Sequence, residues 1–561
     1  MNKKNQLLWI VCLALFCLNI GYLAGNRVLA KFPKFKIFRF EQNKIDETIE
    51  IIRNNYVDTV DINKLTENVI RKIMQELDPH SAYVPASDTE AAGEDLEVSF
   101  GGIGINFNMV SDTVVVLSVI SGGPAEKAGL KSFDRIVSVD DSIIAGKKIN
   151  QSSIMRILRG PRNSKVMLGI QRGQAEELIQ FELTRGDIPN HTVDVSFQVS
   201  DKIGYIKITR FARSTHNEFL TAVAKLRQEG VTGYIIDLRY NTGGFLDLAY
   251  YLSNEFLSKG DMVVYMQGNA YPRQEFRAQG NGVCQQAPVV VLINEQSGSA
   301  SEILAGAIQD NDRGLIIGRR SYGKGVVQQK LDLSDGSELW LTIARYYTPS
   351  GRCIQKEYEL GKGDEYRMDL DNRYLHGEFF TADSIKMDES LAFITAGGRT
   401  VYGGGGIMPD IFIPSDTTGY TSYYEQLYYS NALDLFILDY SNSKQDTLKQ
   451  FSDYKALYEY LKEQPLLDEL ANYAALKGVR KRPTLMTISK DLIETQMHSL
   501  IVRNFFSNDG YYPIILQDDP MMLKAIEVIK NDIWKPELYN RYIEVNKDNL
   551  EISKDNLEET T

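Results

Sequence analysis

Cysteine and histidine are scarce in this chain: four and five in 561 residues. There is no C-x-x-C pair and no cluster of histidine with cysteine, so the usual metal-ligand spacings are missing and neither a metal nor another cofactor is expected. Cys12 and Cys17 lie inside an apolar run, which leaves Cys284 and Cys353 as the two that can pair in an oxidising compartment. Basic charge is also in deficit: 62 Lys and Arg stand against 74 Asp and Glu, a net charge of −12. With no long basic run either, nucleic acid is not an expected partner. None of the five histidines (His80, His191, His216, His376, His498) sits in a recognisable triad context, and the G-x-S-x-G elbow is absent. The composition, 43% hydrophobic and 24% charged, is otherwise that of a globular protein. Its length predicts three or four domains at about 150 residues each.

Near the start, "NKK" precedes residues 7–25, "LLWIVCLALFCLNIGYLAG", which carry no charge. A basic flank before an apolar run reads as an export signal, and this run is about long enough to cross a bilayer as a helix. The expectation is an inner-membrane anchor that leaves the following domains on the periplasmic side of the cell envelope. A signal cleaved after "VLA" at residues 28–30 is the alternative. Beyond it, Ile45, Ile49, Ile52, Leu65, Ile70 and Ile73 fall at helical spacing and predict two or three helices ending near Asp78-Pro79. An apolar stripe there can pair two subunits into a homodimer; packing on its own domain explains it equally well.

From Phe100 the texture changes. "FGGIGINF" is glycine-rich sequence entering a strand, and "TVVVLSVISGGPAEKAGLKSFDRIVSVDDSII" reads as strand, turn, short helix, turn and strand. Two strand–turn–helix units follow, "GYIIDLRYNTGGFLDLAYYLSNEFL" and "APVVVLINEQSGSASEILAGAIQD". Continuous apolar strands bounded by helices predict a sheet covered on both faces. From about residue 417 the chain is rich in Tyr, Leu, Lys and Glu at helical spacing and carries no interpretable motif. Its end, "NKDNLEISKDNLEETT", reads as a solvated tail.

Residues 318–328, "GRRSYGKGVVQ", begin like a phosphate-binding loop. That loop needs Ser or Thr after its lysine to ligate magnesium, but Gly325 follows Lys324. The next residues, "VVQQKLDL", read as a strand rather than the helix whose N-terminus would cradle phosphate. A different chemistry is available upstream. "SGSASE", residues 297–302, lies between a buried strand and a helix, where a hydroxyl stands beside free N–H groups and the positive end of the helix dipole. Serine needs a base, and a desolvated lysine can serve, since burial disfavours the ammonium. Lys324, between two glycines, suits that role.

Eight stretches in order resemble the carboxyl-terminal processing, or tail-specific, serine protease family: "LDPHSAYV", "FGGIGI", "SGGPAEKAGL…DRIVSVD", "DLRYNTGG", "SGSASEILAGAIQD", "RRSYGKGVVQ", "YYTPSGRCIQ" and "GGGGIMPD". The resemblance implies Ser299 as nucleophile, Lys324 as base and Gln328 as the residue orienting it. It also implies an oxyanion site from backbone N–H groups of Gly243 or Gly244 with Ala300. Ser297 and Ser301 are the alternative hydroxyls. Thr242 stands where the family often has proline, and Cys353 where serine is common. Residues 100–185 resemble a PDZ domain, with Gly101, Gly102, Ile103, Gly104 and Ile105 as the loop that holds a terminal carboxylate and the next strand as the edge that takes a peptide. Arg159 falls where the family has an arginine coupling this module to the core.

The implied architecture is a multidomain α/β protein: an anchor (residues 1–30), a helical N-terminal region (40–93), a PDZ domain (94–187), a protease core resembling the ClpP/crotonase-like fold (188–416) and a helical C-terminal extension (417–561). The implied function is a serine endopeptidase acting on proteins with apolar or unfolded C-termini, with an adaptor protein as a further partner. A catalytically inactive PDZ scaffold that binds C-termini is the alternative.

Overall fold

The structure, a computed structural model, describes residues 44–545 except residues 95, 121 and 174–176. The expected anchor at residues 7–25 and the tail from residue 546 lie outside the described residues. Among the described residues no helix is long and apolar enough to cross a membrane. The chain divides into two units, residues 1–73 and residues 74–561. The first holds the helix Lys44–Asn55, with Asp46 and Glu47 in its first turn and Arg53 in its last, the order a helix dipole favours. Ile45 and Ile51 on this helix are exposed.

In the second unit the central element is a six-stranded sheet. Its order is Val193–Ser200, Ile203–Ile208, Gly233–Asp237, Val289–Ile293, Leu315–Gly318 and Ile411–Phe412, antiparallel at the first pair and parallel thereafter. Side chains alternate along each strand, so each face buries its own set. Val289, Val291 and Ile293 pack with Phe219, Leu252 and Ile303 from the helices Thr215–Gln228, Leu246–Asn254 and Ala300–Asp310. Val290 and Leu292 face the other way, onto Met521, Met522, Ala525 and Val528 of the helix Pro520–Lys530. Each such side chain contributes about 1.5–3 kcal/mol on burial. The C-terminal extension thus supplies the cover for the sheet's second face. The rest of it is a helical bundle around its own core, including Leu427, Leu457, Leu470, Met497 and Ile501.

A second, antiparallel sheet is built on the long strand Glu338–Tyr347, which pairs with Ala82–Val84, Met262–Gln267 and Val326–Asp332. Val326–Asp332 is the strand expected after Lys324. Ala82–Val84 and this strand pair with the same residues of the long strand, 338–340, from its two edges.

Residues 105–184 form a separate sheet in the order Ile105–Val110, Thr113–Val119, Arg135–Val139, Lys165–Gln171, Ile179–Thr184. The helix Gln151–Leu158 packs on it through Ile154 and Leu158. The chain runs into and out of this module through two strands that pair with each other, Ser99–Gly102 and Gly186–Pro189.

Candidate active site

The strand Val289–Ile293 ends in a turn of small residues, and Ser299 caps the helix Ala300–Asp310 that follows. Ser299 has φ 54° and ψ −114°, a conformation costing a non-glycine residue about 1–3 kcal/mol. Two groups hold it there. Its N–H donates to Glu302 Oε2 at 2.7 Å, and its carbonyl accepts from the Tyr346 hydroxyl at 3.1 Å. The strained strand-to-helix turn is therefore present without the G-x-S-x-G sequence.

The neighbouring serines are differently placed. The Ser297 hydroxyl donates to the Leu238 carbonyl and that of Ser301 to the Asn241 carbonyl, each at 2.8 Å. Both residues are fully buried, whereas Ser299 is half-buried.

Gly243 and Gly244 have φ of 108° and 142°. A Cβ on Gly243 would lie 2.7 Å from Ser299 Cβ, and one on Gly244 would lie 2.0 Å from the Phe211 carbonyl oxygen. Only glycine fits either place. The Gly243 N–H is already donated to Asn241 Oδ1 at 2.9 Å. The N–H groups of Gly244 and Ala300 have no acceptor among the described residues. Of the two glycines named from the sequence, Gly244 is the one with a donor to offer.

Lys324 lies in the turn before the strand Val326–Asp332. Its Nζ donates to Gln328 Oε1 at 2.8 Å. Burial pulls its pKa below the ordinary lysine value; Glu302 and Asp78 oppose that without reversing it. Gln328 Nε2 in turn donates to the His80 carbonyl at 2.6 Å. Among the described residues no hydrogen bond joins Ser299 Oγ to Lys324 Nζ; such contacts often close only around substrate.

What joins the two residues is their main chain. Glu302, fully buried, accepts four hydrogen bonds. At Oε2 the donors are the N–H groups of Ser299 (2.7 Å) and Lys324 (2.9 Å). At Oε1 they are the Gly323 N–H (2.7 Å) and the Ser321 hydroxyl (2.5 Å). Burial raises the Glu302 pKa and these hydrogen bonds oppose it. Tyr346, also buried, shares its hydroxyl proton between the carbonyls of Ser299 and Lys324. Two side chains thus clamp both segments together. Sequence reading did not assign Glu302, Tyr346 or His80 a part, although all three lie within the quoted stretches.

In the second module, Gly102, Ile103, Gly104 and Ile105 line a small cleft of about 70 Å³ with Leu158 and Arg159. Gly104 has φ 79°. Gly101 does not line this cleft; a Cβ there would lie 2.1 Å from the Gly160 carbonyl oxygen. Ile105–Val110 is an edge strand of its sheet, the position from which a strand can be added. The Arg159 guanidinium stands 4.0 Å over the Phe100 ring, on the strand that leads into the module.

Cys284 and Cys353 are unpaired. Burial pushes the Cys284 thiol up to about 12 and raises that of Cys353 as well. Among the described residues no group of three or more His, Cys, Asp or Glu side chains is arranged to hold a metal ion.

A model of peptidase family S41 matches residues 202–361, and a PDZ-domain model matches residues 101–183. The chain is 35% identical over 316 residues to the carboxy-terminal-processing protease of Bartonella bacilliformis, covering 56% of this chain and 72% of that protein. It is 32% identical over 353 residues to the carboxy-terminal processing protease CtpB of Bacillus subtilis, covering 62% of this chain and 71% of that one. The chain belongs to the carboxy-terminal processing protease family. Members of this family are serine-type endopeptidases, and this chain is one, with a PDZ domain. The matched S41 region contains Ser299, Lys324, Gln328 and both glycines. The alternative of an inactive scaffold finds no support among these relatives. A model of a family of unknown function (DUF8443) matches residues 423–507, in the helical extension of this carboxy-terminal processing protease. Among solved structures, a photosystem II D1 C-terminal processing protease aligns over 66% of this chain and 86% of its own, at 26% identity and a TM-score of 0.36.

Proposed function

We propose that this chain cleaves proteins with a Ser299–Lys324 dyad after its PDZ domain has taken up their C-terminal tails. Ser299 Oγ attacks the scissile carbonyl carbon, and neutral Lys324 takes the Oγ proton. Gln328 holds the amine. The N–H groups of Gly244 and Ala300 stabilise the tetrahedral oxyanion. The amine then leaves with a proton from Lys324, and water releases the acyl product from Ser299. The observation that carries this reading is the pair of bridges from Glu302 and Tyr346, which tie the backbone of a strained serine to that of a desolvated lysine. A site kept only for structure has no need of either the strain or the desolvated amine.

In the same reading, the cleft beside Gly102–Ile105 receives an apolar C-terminal residue while the tail pairs with Ile105–Val110, and Arg159 couples the occupied module to the core. The core belongs to the ClpP/crotonase-like type, and the domain limits are those given from the sequence. In this reading the apolar run at residues 7–25 serves as the anchor, with the enzyme on the periplasmic side of the inner membrane.

The test is incubation of the full chain with β-casein, a loosely folded protein, beside its Ser299→Ala and Lys324→Ala variants, read by gel and mass spectrometry. Fragments from the unmutated chain alone support the dyad. Equal cutting by all three removes it.

A further inference from the structure

His80 has no role in the chemistry above beyond lending a backbone carbonyl, yet its side chain is set into the base's surroundings. Gln328 bridges Lys324 Nζ (2.8 Å) and the His80 carbonyl (2.6 Å). The backbone of His80 is fixed from behind, its N–H donating to Asp78 Oδ1 at 2.8 Å. Its ring Nε2 lies 3.0 Å from the Tyr366 hydroxyl, with the two rings edge-on at 85°. The Tyr366 hydroxyl also accepts from Gln355 Nε2 at 3.2 Å, and Gln355 Oε1 accepts the Gly325 N–H at 2.8 Å. Gly325 is the residue after Lys324. The hydrogen bonds therefore close on themselves: Lys324, Gln328, His80, Tyr366, Gln355, Gly325.

We propose that His80 and Tyr366 are positioning residues for Lys324, holding Gln328 and the lysine amine in place and away from water through this closed circuit. The inference rests on the reading of Lys324 as the base. Tyr366 is buried, so its hydroxyl occupies a place that water would otherwise take. The charged and titratable groups facing this assembly are Lys324, Asp78 and Lys356 around His80, and Tyr322, Glu302 and Asp369 around Tyr366. Lys356 stands 4.0 Å over the Tyr366 ring and pairs with Asp369 at 2.9 Å. Burial, with Lys324 and Lys356 nearby and Asp78 opposing, lowers the His80 pKa to about 4. The ring is therefore neutral at working pH and adds no charge beside the base. Tyr366 lies on the short helix Gly363–Arg367, outside the strand and turn that carry the dyad. The circuit thus ties a distant part of the chain to the state of the amine.

The experiment reads the amine directly, so it does not depend on turnover. The full chain and its Tyr366→Phe, His80→Ala and His80→Gln variants are labelled with acetic anhydride at graded pH, and acetylation of Lys324 is followed by mass spectrometry. Opening the circuit lets water reach the amine, so in Tyr366→Phe and His80→Ala the labelling midpoint rises by about one pH unit or more, about tenfold in proton affinity. His80→Gln, which keeps a polar atom near Nε2, recovers much of the shift. On β-casein the first two variants lose about tenfold in kcat with KM within about twofold, the split expected of a group acting through the base. An unchanged midpoint in Tyr366→Phe or His80→Ala, with the circular dichroism of the unmutated chain, overturns the inference. Casein cleavage that survives Lys324→Ala overturns the base assignment instead, and the labelling midpoints still report whether the circuit exists.

Discussion

Glu302→Gln is the sharpest single perturbation of the proposed site, because it changes one atom pair and no volume. Glu302 accepts four hydrogen bonds, two at each oxygen. A glutamine keeps one oxygen and turns the other into an NH2 donor. With the NH2 towards Ser299 and Lys324, two N–H groups lose their acceptor; turned the other way, only the Gly323 N–H faces a donor, because the Ser321 hydroxyl can accept from the NH2. A buried N–H left without a partner costs about 1–3 kcal/mol, so the change costs about 2–6 kcal/mol in the first orientation and about 1–3 kcal/mol in the second. Part of that is avoided if the segments move apart, and movement is what the site cannot tolerate. In the first orientation Ser299 loses one of the two hydrogen bonds that hold it at φ 54°, and relaxing it recovers about 1–3 kcal/mol of strain. Each 1.4 kcal/mol that reappears in the barrier lowers the rate about tenfold. The expected result is at least a tenfold fall in kcat on β-casein, with lower thermal stability. The pH profile should also move. Glu302 raises the lysine pKa by its charge, so its neutral replacement shifts the midpoint for loss of activity to lower pH. The assay is kcat against pH beside a melting curve. A variant with unmutated kcat, melting temperature and midpoint would refute the brace. A midpoint displaced to higher pH would refute the electrostatic part of the argument.

Three further outcomes follow from the same geometry. In the unmutated enzyme the base must be neutral, and burial lowers its pKa, so activity is present above that lowered pKa and is lost as pH falls through it; a pH–rate profile that stays flat into acid contradicts a lysine base. Gly243→Ala places a methyl group 2.7 Å from Ser299 Cβ at a φ of 108°, and it should abolish casein cleavage while Ala substitution at the exposed Gly230 does not; equal activity in the two removes the close approach from the account. Met522→Ala, in the layer beneath Val290 and Leu292, should destabilise the core by about 2–5 kcal/mol in urea unfolding; a loss under about 0.5 kcal/mol would mean that the helix Pro520–Lys530 is not part of the core.

The parts of this site that the sequence disclosed are the parts whose chemistry is written in side chains on one local element. Ser299 stands at the end of an apolar strand in a run of small residues, and Lys324 stands between glycines four positions before Gln328. The parts it concealed act through main-chain atoms, which leave no mark on residue type. Tyr346 reaches two carbonyls, those of Ser299 and Lys324, and a tyrosine on a strand gives no sign of it. His80 serves Gln328 through a carbonyl 248 positions away, a partnership set by the pairing of Ala82–Val84 and Val326–Asp332 with one long strand. The choice between Gly243 and Gly244 was open for the same reason: it turns on where Asn241 directs its side chain. The sheet shows the same division at larger scale. An unbroken apolar strand announces that both faces are covered, but any helix with an apolar stripe can do the covering. Here the first cover comes from helices threaded between the strands, and the second from residues 520–530, more than a hundred positions past the last strand. The extension that carried no readable motif is therefore bound to the catalytic sheet by its burial. A protease of this family that ended near residue 416 would leave Val290, Leu292 and Ile317 bare, and it would need some other surface to cover them.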